Sequence, residues 1–493
     1  MKKVLPLLCL LALISLSGIV QAGIITTKAN LSSVGLISQA GAPIKFAVQG
    51  TQVMIGGSIV NQSIETITTI TIYYSDGTNT YSDNQSVSIA PGATYNYTHG
   101  TPYTMPAVGD YQVTSWVALN GDPNQETNHV TSSAKSVLFT PFKKVTFEEE
   151  TGTWCGWCVR GFIWMDSMYN AYPNTTELIA VHNGDPMANA TYNAGATNTT
   201  YYPSFTGFPS LEIDRVAVDD PGNIFLDYSN MVGNYGLADI GVSATLNGNV
   251  ATIVTTTHFA SAVGSGYKLA CVITENQVHN SAYNQTNYYN GQANSGNYIL
   301  PTVDGYNFHT NGDPVLGSNI YYDFVARSIM GTYEGTAGSL PSTINAGDSP
   351  THTFTYTIPN GYVASQMKAI VLLINGNTLN INNVITPTIM NANHTLFGLT
   401  NVPVTSDIVS SLAIYPNPFN NQANINFSLT KDENVTVTVS NLLGQNVMTL
   451  NNGLMSAGEH NIMINGNNLT SGMYFVTLKA GDYSITSKVL LNK

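Results

Sequence analysis

Most of the chain alternates apolar and polar residues over short runs, and one stretch near its middle switches to a helical period. Between residues 24 and 138 the runs 52–60, 67–74 and 110–117 are separated by Gly, Asn, Asp and Pro, with a turn at Asp76-Gly77. In the last of these runs Tyr111, Val113 and Ser115 share one face. Strands of this length and spacing predict a β-sandwich of immunoglobulin type over 24–138. The polar run from Asn120 to Asn128 reads as an Asx-rich turn, because its spacing does not fit an EF-hand calcium loop.

The middle has a different character. Residues 143–150 alternate as a strand in which Val145, Phe147 and Glu149 share one face. A loop leads to Thr153-Trp154-Cys155-Gly156-Trp157-Cys158, behind which Cys158, Phe162, Met165, Tyr169 and Tyr172 fall on one helical stripe. Pro173 ends that helix. An apolar strand at 178–181 closes on His182, and Leu211 and Ile213 alternate just after Gly207-Phe208-Pro209. Asp220-Pro221 starts a second helix, running to about Val232. Strand, helix, strand, strand and helix predict a small α/β domain over 141–236.

Beyond it the β pattern returns. Residues 238–246 turn at Asn247-Gly248-Asn249 into 250–255, and 267–274, 352–358 and 367–374 read as further strands. They predict a second sandwich over 237–393, packed on the dithiol domain. Residues 394–410 read as a linker. The stretch 411–493 holds strands at 423–429, 434–440, 458–464 and 472–478, a small C-terminal sandwich. The fold class is therefore multidomain and mostly β, with one α/β insertion.

Composition adds a location. A chain of 493 residues calls for several domains. Only 9% of residues are charged, against about 25% in an average soluble protein, so Asn, Thr, Ser, Gly and Tyr must cover the surface. The net charge of −13 offers no basic footprint for nucleic acid. Lys2 and Lys3, the apolar run 4–20 and Val20-Gln21-Ala22 read as a signal peptide over 1–22, the alternative being an uncleaved anchor. Cleavage would remove Cys9. No later run approaches the ~18 apolar residues of a membrane helix, so the mature chain is expected to have no transmembrane segment. It would work where disulfides persist.

Cys155, Cys158 and Cys271 then remain. A cysteine at a helix N-terminus faces unpaired N–H groups and the positive end of the dipole, which favours the thiolate. Cys155 is assigned the attack on an outside disulfide. Cys158, one turn further in on the buried stripe, resolves the mixed disulfide. Two intervening residues let the sulfurs meet without unwinding the helix. No metal or cofactor is expected: zinc needs four ligands, and His182 and Cys271 are remote in sequence. His182 reads as a structural histidine. Cys271, alternating with Leu269 and Ile273, reads as a buried inert thiol.

The segment Trp154-Cys155-Gly156-Trp157-Cys158 resembles the active site of thioredoxins, with Trp157 where that family usually has proline. Gly207-Phe208-Pro209 resembles the loop whose cis-proline faces the dithiol there, which implies that Pro209 shapes a substrate groove beside Cys155. The same resemblance implies a buried acid beneath the dithiol, and Glu149 is the candidate. The longer pattern, with His182-Asn183-Gly184-Asp185-Pro186-Met187, residues 267–276 and Arg327-Ser328-Ile329-Met330-Gly331, resembles the bacterial outer-membrane-protein family named for a 28-kDa member. That implies a thioredoxin-like domain followed by a β domain over roughly 142–385.

The tail motifs Ile414-Tyr415-Pro416-Asn417-Pro418-Phe419, Asn441-Leu442-Leu443-Gly444-Gln445 and Ser471-Gly472-Met473-Tyr474-Phe475 resemble a type IX secretion sorting domain. They imply the type IX machinery as a partner and export across the outer membrane. Two functions are compatible with these features. One is thiol–disulfide exchange on surface or secreted proteins that carry disulfides. The other is a non-catalytic surface binding or structural protein in which the pair is a passive staple.

Overall fold

The computed structural model describes residues 29–38, 43–119, 129–294, 299–397, 409–415, 419, 421–441, 445–470, 472–481 and 483–491. The expected signal peptide, the 120–128 turn and linker residues 398–408 lie outside the described residues.

Up to Ser136 the chain is one compact unit. One sheet is built on Ala29–Ile37, Gln52–Asn61 and Thr94–Thr98, the other on Ile67–Ser75, Thr80–Ile89, Gly109–Ala118 and Val130–Val137. Ile59 of the first packs with Ile72 of the second, and Ile55 with Tyr74. Val113, Ser115 and Val117 are buried in alternation, as a strand with one core face requires. This is the expected N-terminal sandwich.

The second unit carries the dithiol. Its elements are β1 (Val145–Thr151), α1 (Val159–Ala171), β2 (Thr176–His182), α2 (Ala190–Ala196), β3 (Ser210–Ile213), β4 (Ala217–Asp219), α3 (Ile224–Met231), β5 (Ala238–Asn247), β6 (Val250–Phe259), β7 (Tyr267–Glu275), β8 (Val325–Met330), β9 (Thr351–Thr357), β10 (Met367–Leu379) and β11 (Ile385–Leu396). An eight-stranded sheet runs β4-β3-β1-β2-β8-β7-β10-β11. Within it β1 and β2 are parallel, β3 is antiparallel to β1, and β2 is parallel to β8. A three-stranded sheet, β5-β6-β9, packs Ile240, Ile253 and Phe354 against Leu269, Cys271 and Leu373 of the large sheet.

The sandwich expected over 237–393 is therefore present, but the sheet does not break at 236/237. One of its layers is the continuation of the α/β sheet. Strand β8 makes the join, and six residues of mixed burial give too little periodicity to announce it. Residues 394–396, expected in a linker, instead finish β11, where His394 Nδ1 lies 2.6 Å from Glu177 Oε1.

Helix α1 also differs from its predicted stripe. Met165 and Met168 face the sheet with Phe147 and Leu178, while Val159 and Ile163 are covered by Tyr289, Phe308 and Val315. Those three belong to the strap, residues 276–324, which joins β7 to β8. Helix α1 is buried on two sides, so a single apolar stripe does not describe it. Tyr169, expected inside, is 45% exposed, and Asp166, a charged residue, is 5% exposed.

The described tail residues form two sheets, one on Gln422–Leu429 and Gly458–Asn465 and the other on Glu433–Asn441, Gly472–Ala480 and Tyr483–Leu491. Ile425, Phe427, Val437 and Val476 make their common core.

Glu148 points to the opposite face of β1 from Glu149 and is fully buried. Arg215 holds it with two hydrogen bonds, Nε and Nη2 donating at 2.7 Å each, and stacks 3.5 Å from the Tyr333 ring centroid. Tyr192 also donates to Glu148. Glu150 and Glu212 crowd the same carboxylate. Arg215→Met removes the cation from this buried cluster and is expected to cost about 3–5 kcal/mol, read as a lower urea midpoint. A midpoint equal to that of the unaltered chain would contradict this account.

Candidate functional site

Cys155 and Cys158 are joined by a disulfide with Cα atoms 5.4 Å apart. β1 ends at Thr151, and two turns carry the chain to α1: Cys155 N–H donates to Gly152 O, and Cys158 N–H to Cys155 O. Cys158 is the N-cap of α1. The helix thus begins where its apolar stripe does, and Cys158, rather than Cys155 as expected, stands at its N-terminal N–H groups. The helix field then favours negative charge on Cys158.

The Phe208–Pro209 peptide bond is cis. Ser210, the next residue, pairs with Glu150 near the end of β1, so the Pro209 loop lies at the same end of the sheet as the disulfide. Phe208 meets Trp154 edge to face at 5.3 Å, and the Trp154 indole N–H donates to Asn183 O at 2.6 Å. Asp185 gathers the remaining side. It accepts from the Thr153 and Met187 backbone N–H groups and pairs with His182 Nδ1 at 2.7 Å. His182, expected to be structural, is held by Asp185, which reads from sequence as the start of a loop.

Glu149 lies under the disulfide. Its side chain fills the place a side chain on Gly161 would take, since a Cβ there would stand 1.9 Å from Glu149 Oε1. Oε1 is buried without a hydrogen-bond partner. Burial pushes its carboxyl up to about 8, against the opposing hydrogen bond of Thr151. Glu149 and Cys158 line one cavity of about 20 Å³, together with Asp166 and His182. The four residues singled out by sequence, Cys155, Cys158, Pro209 and Glu149, thus gather at one end of β1. Cys271 lies away from them in β7, fully buried, with its thiol pushed up by burial.

Sequence reasoning missed the strap. Thr286 N–H donates to Thr153 O at 2.9 Å, Tyr288 N–H to Gly156 O at 3.0 Å, and Gln285 Nε2 to Cys155 O at 3.0 Å. Trp157 packs edge to face on Tyr288 and Tyr289. Cys155 is left 5% exposed and Cys158 2%. The one local signal was Gly156, where a Cβ would stand 2.5 Å from the Tyr288 ring.

Among known proteins, the C-terminal segment gives the clearest likeness. Residues 413–492 match the family described as the secretion system C-terminal sorting domain. The solved structure of HBP35 of Porphyromonas gingivalis is similar over 72% of this chain and 99% of its own, at 17% identity and a TM-score of 0.37. A protein of Agrobacterium tumefaciens is similar over 54% of this chain and 99% of its own, at 15% identity and a TM-score of 0.31. No curated protein sequence matches the chain.

Two outcomes follow from this geometry. Gly156→Ala pushes Tyr288 off the motif, at a cost of about 1–3 kcal/mol, and should speed hydrogen exchange at the Thr286 and Tyr288 amides. Unchanged exchange there would show that the strap is held elsewhere. Between pH 4.5 and about 8 the folded chain keeps a proton on Glu149 that the unfolded chain has lost. This contribution is complete below 4.5 and disappears as pH rises through about 8, so stability falls across the window, by up to about 1.4 kcal/mol per unit. Glu149→Gln should flatten the decline in urea midpoints over that range.

Proposed function

We propose that the chain is an exported thioredoxin-like protein whose Cys155–Cys158 disulfide exchanges with dithiols of other exported proteins. The observation that carries this reading is the union of a formed disulfide, the cis Pro209 loop and the buried acid Glu149 at one end of β1. The sorting domain at 413–492 supports export by the type IX machinery, to the cell surface or the medium.

In the exchange a substrate thiolate attacks Cys155 Sγ. The Cys155–Cys158 bond breaks, its electron pair leaves on Cys158, and Glu149 gives that sulfur a proton. A second substrate thiolate then attacks the substrate sulfur of the mixed disulfide and releases Cys155. The substrate dithiol is oxidised and the protein's disulfide reduced. An outside disulfide of higher potential resets the pair. Trp154, Phe208 and Pro209 would border the arriving chain.

One observation favours a second reading, a surface protein in which the pair is a staple. The strap hydrogen-bonds three carbonyl groups of the motif and leaves both cysteines nearly inaccessible. Trapping separates the two. Cys158→Ser leaves Cys155 a lone thiol that can attack substrate disulfides in the reverse direction of the exchange but cannot close on Cys158, so on living cells it should accumulate covalent adducts through Cys155 with exported proteins. Absence of adducts, with surface disulfides unchanged in Cys155→Ser cells, would leave the staple.

A further inference from the structure

The cavity beneath Cys158 is bordered by two acids. Glu149 reaches it from β1, and Asp166 from α1, two turns beyond Cys158. Both are buried, at 2% and 5% exposure. The space, about 20 Å³, is large enough for one water, and its polar lining suits one. Glu149 Oε1 has no other hydrogen-bond partner.

We propose that Asp166 is the second acid of the dithiol site, acting through Glu149 to return the proton that Glu149 gives to Cys158. The inference rests on the reading of Cys155–Cys158 as an exchanging pair. When the disulfide opens and Glu149 protonates the departing Cys158 sulfur, a carboxylate is left in a site of low dielectric. Asp166 supplies its own proton across the cavity and regains one from solvent on the side of Asp323 and Asp304. One S–S bond breaks, one forms to the attacking sulfur, and one proton passes from solvent to Cys158.

The groups facing the pair are consistent with this traffic. Asp323, Asp304 and Glu149 act on Asp166, and with burial they push its carboxyl up to about 8. Asp323 is tied to Gln277, and Asp304 is exposed beside Asn170. Glu149 in turn acts on Glu150, which points to the other face of β1. His182, on the cavity wall, has Nδ1 engaged by Asp185. No cation is among the groups acting on Asp166. Two carboxyls in so small a space titrate as a pair, each ionisation opposing the other.

The test uses the full chain and dithiothreitol as the attacking dithiol, following the appearance of protein thiols against pH. Rates are divided by the reagent's thiolate fraction. The rate for the unaltered chain should fall as pH rises through about 8, where Glu149 loses its proton. In Asp166→Asn the opposing charge is gone, and the fall should move down by roughly one unit. Glu149→Gln should show no such inflection. If Asp166→Asn does not fold, Asp166→Glu, which keeps the acid and displaces it, should also move the inflection.

An Asp166 variant whose profile superimposes on that of the unaltered chain overturns the proposal, even if Glu149→Gln loses the inflection. A disulfide that dithiothreitol opens at no pH overturns it too. Failure to trap adducts with Cys158→Ser bears on the exchange reading and leaves these profiles as they are.

Discussion

Strand β8 lies between β2 and β7, and that pairing decides what surrounds the disulfide. Antiparallel neighbours such as β7 and β8 can be joined by a tight turn. Here the whole strap, 276–324, runs between them. It leaves the sheet where Glu275 and Val325 part, at the level of Ala180 in β2, and passes over α1 to the motif. The α/β and β regions share one sheet, so the covering of the dithiol and the pairing of the strands are aspects of a single arrangement.

That covering changes the electrostatics of the site. With Tyr289, Phe308 and Val315 packed on its outer side, α1 becomes a buried helix, and Asp166 is drawn inside with it. Glu149 is enclosed between β1 and the helix, at the point where Gly161 leaves room for it. Burial without a cation keeps both acids protonated into the neutral range. A proton donor beneath Cys158 would serve the exchange proposed for the pair. The cover that restricts access to Cys155 is also what creates the buried acid pair.

The opposite face of β1 obeys the same rule with a different solution. Glu148, two-fold hydrogen-bonded by Arg215, is matched by a buried cation. Alternation along β1 thus sends Glu148 and Glu149 to two environments, one neutralised by charge and the other by protonation. Consecutive glutamates in the sequence look alike, and only their opposite faces separate them.

Much of the site was legible in the chain itself. Cys155 and Cys158, the alternating face that carries Glu149, Pro209 before its short strand, Asp220 capping a helix start and the Asn247-Gly248 hairpin all depend on neighbours within a few residues. Local spacing determines such features, so sequence alone could place them; the roles expected of Pro209 and Glu149 came from the resemblance of their segments to thioredoxins. The tail motifs are local in the same sense. The join of β8 to β2, the burial of Asp166 and the contacts of Gln285 and Tyr288 with the motif depend on residues more than a hundred positions apart, and the extension of β11 into 394–396 rests on pairing with 368–370 of β10. Pairing of that range is set by which surfaces find each other on folding, and only the tertiary structure could decide it.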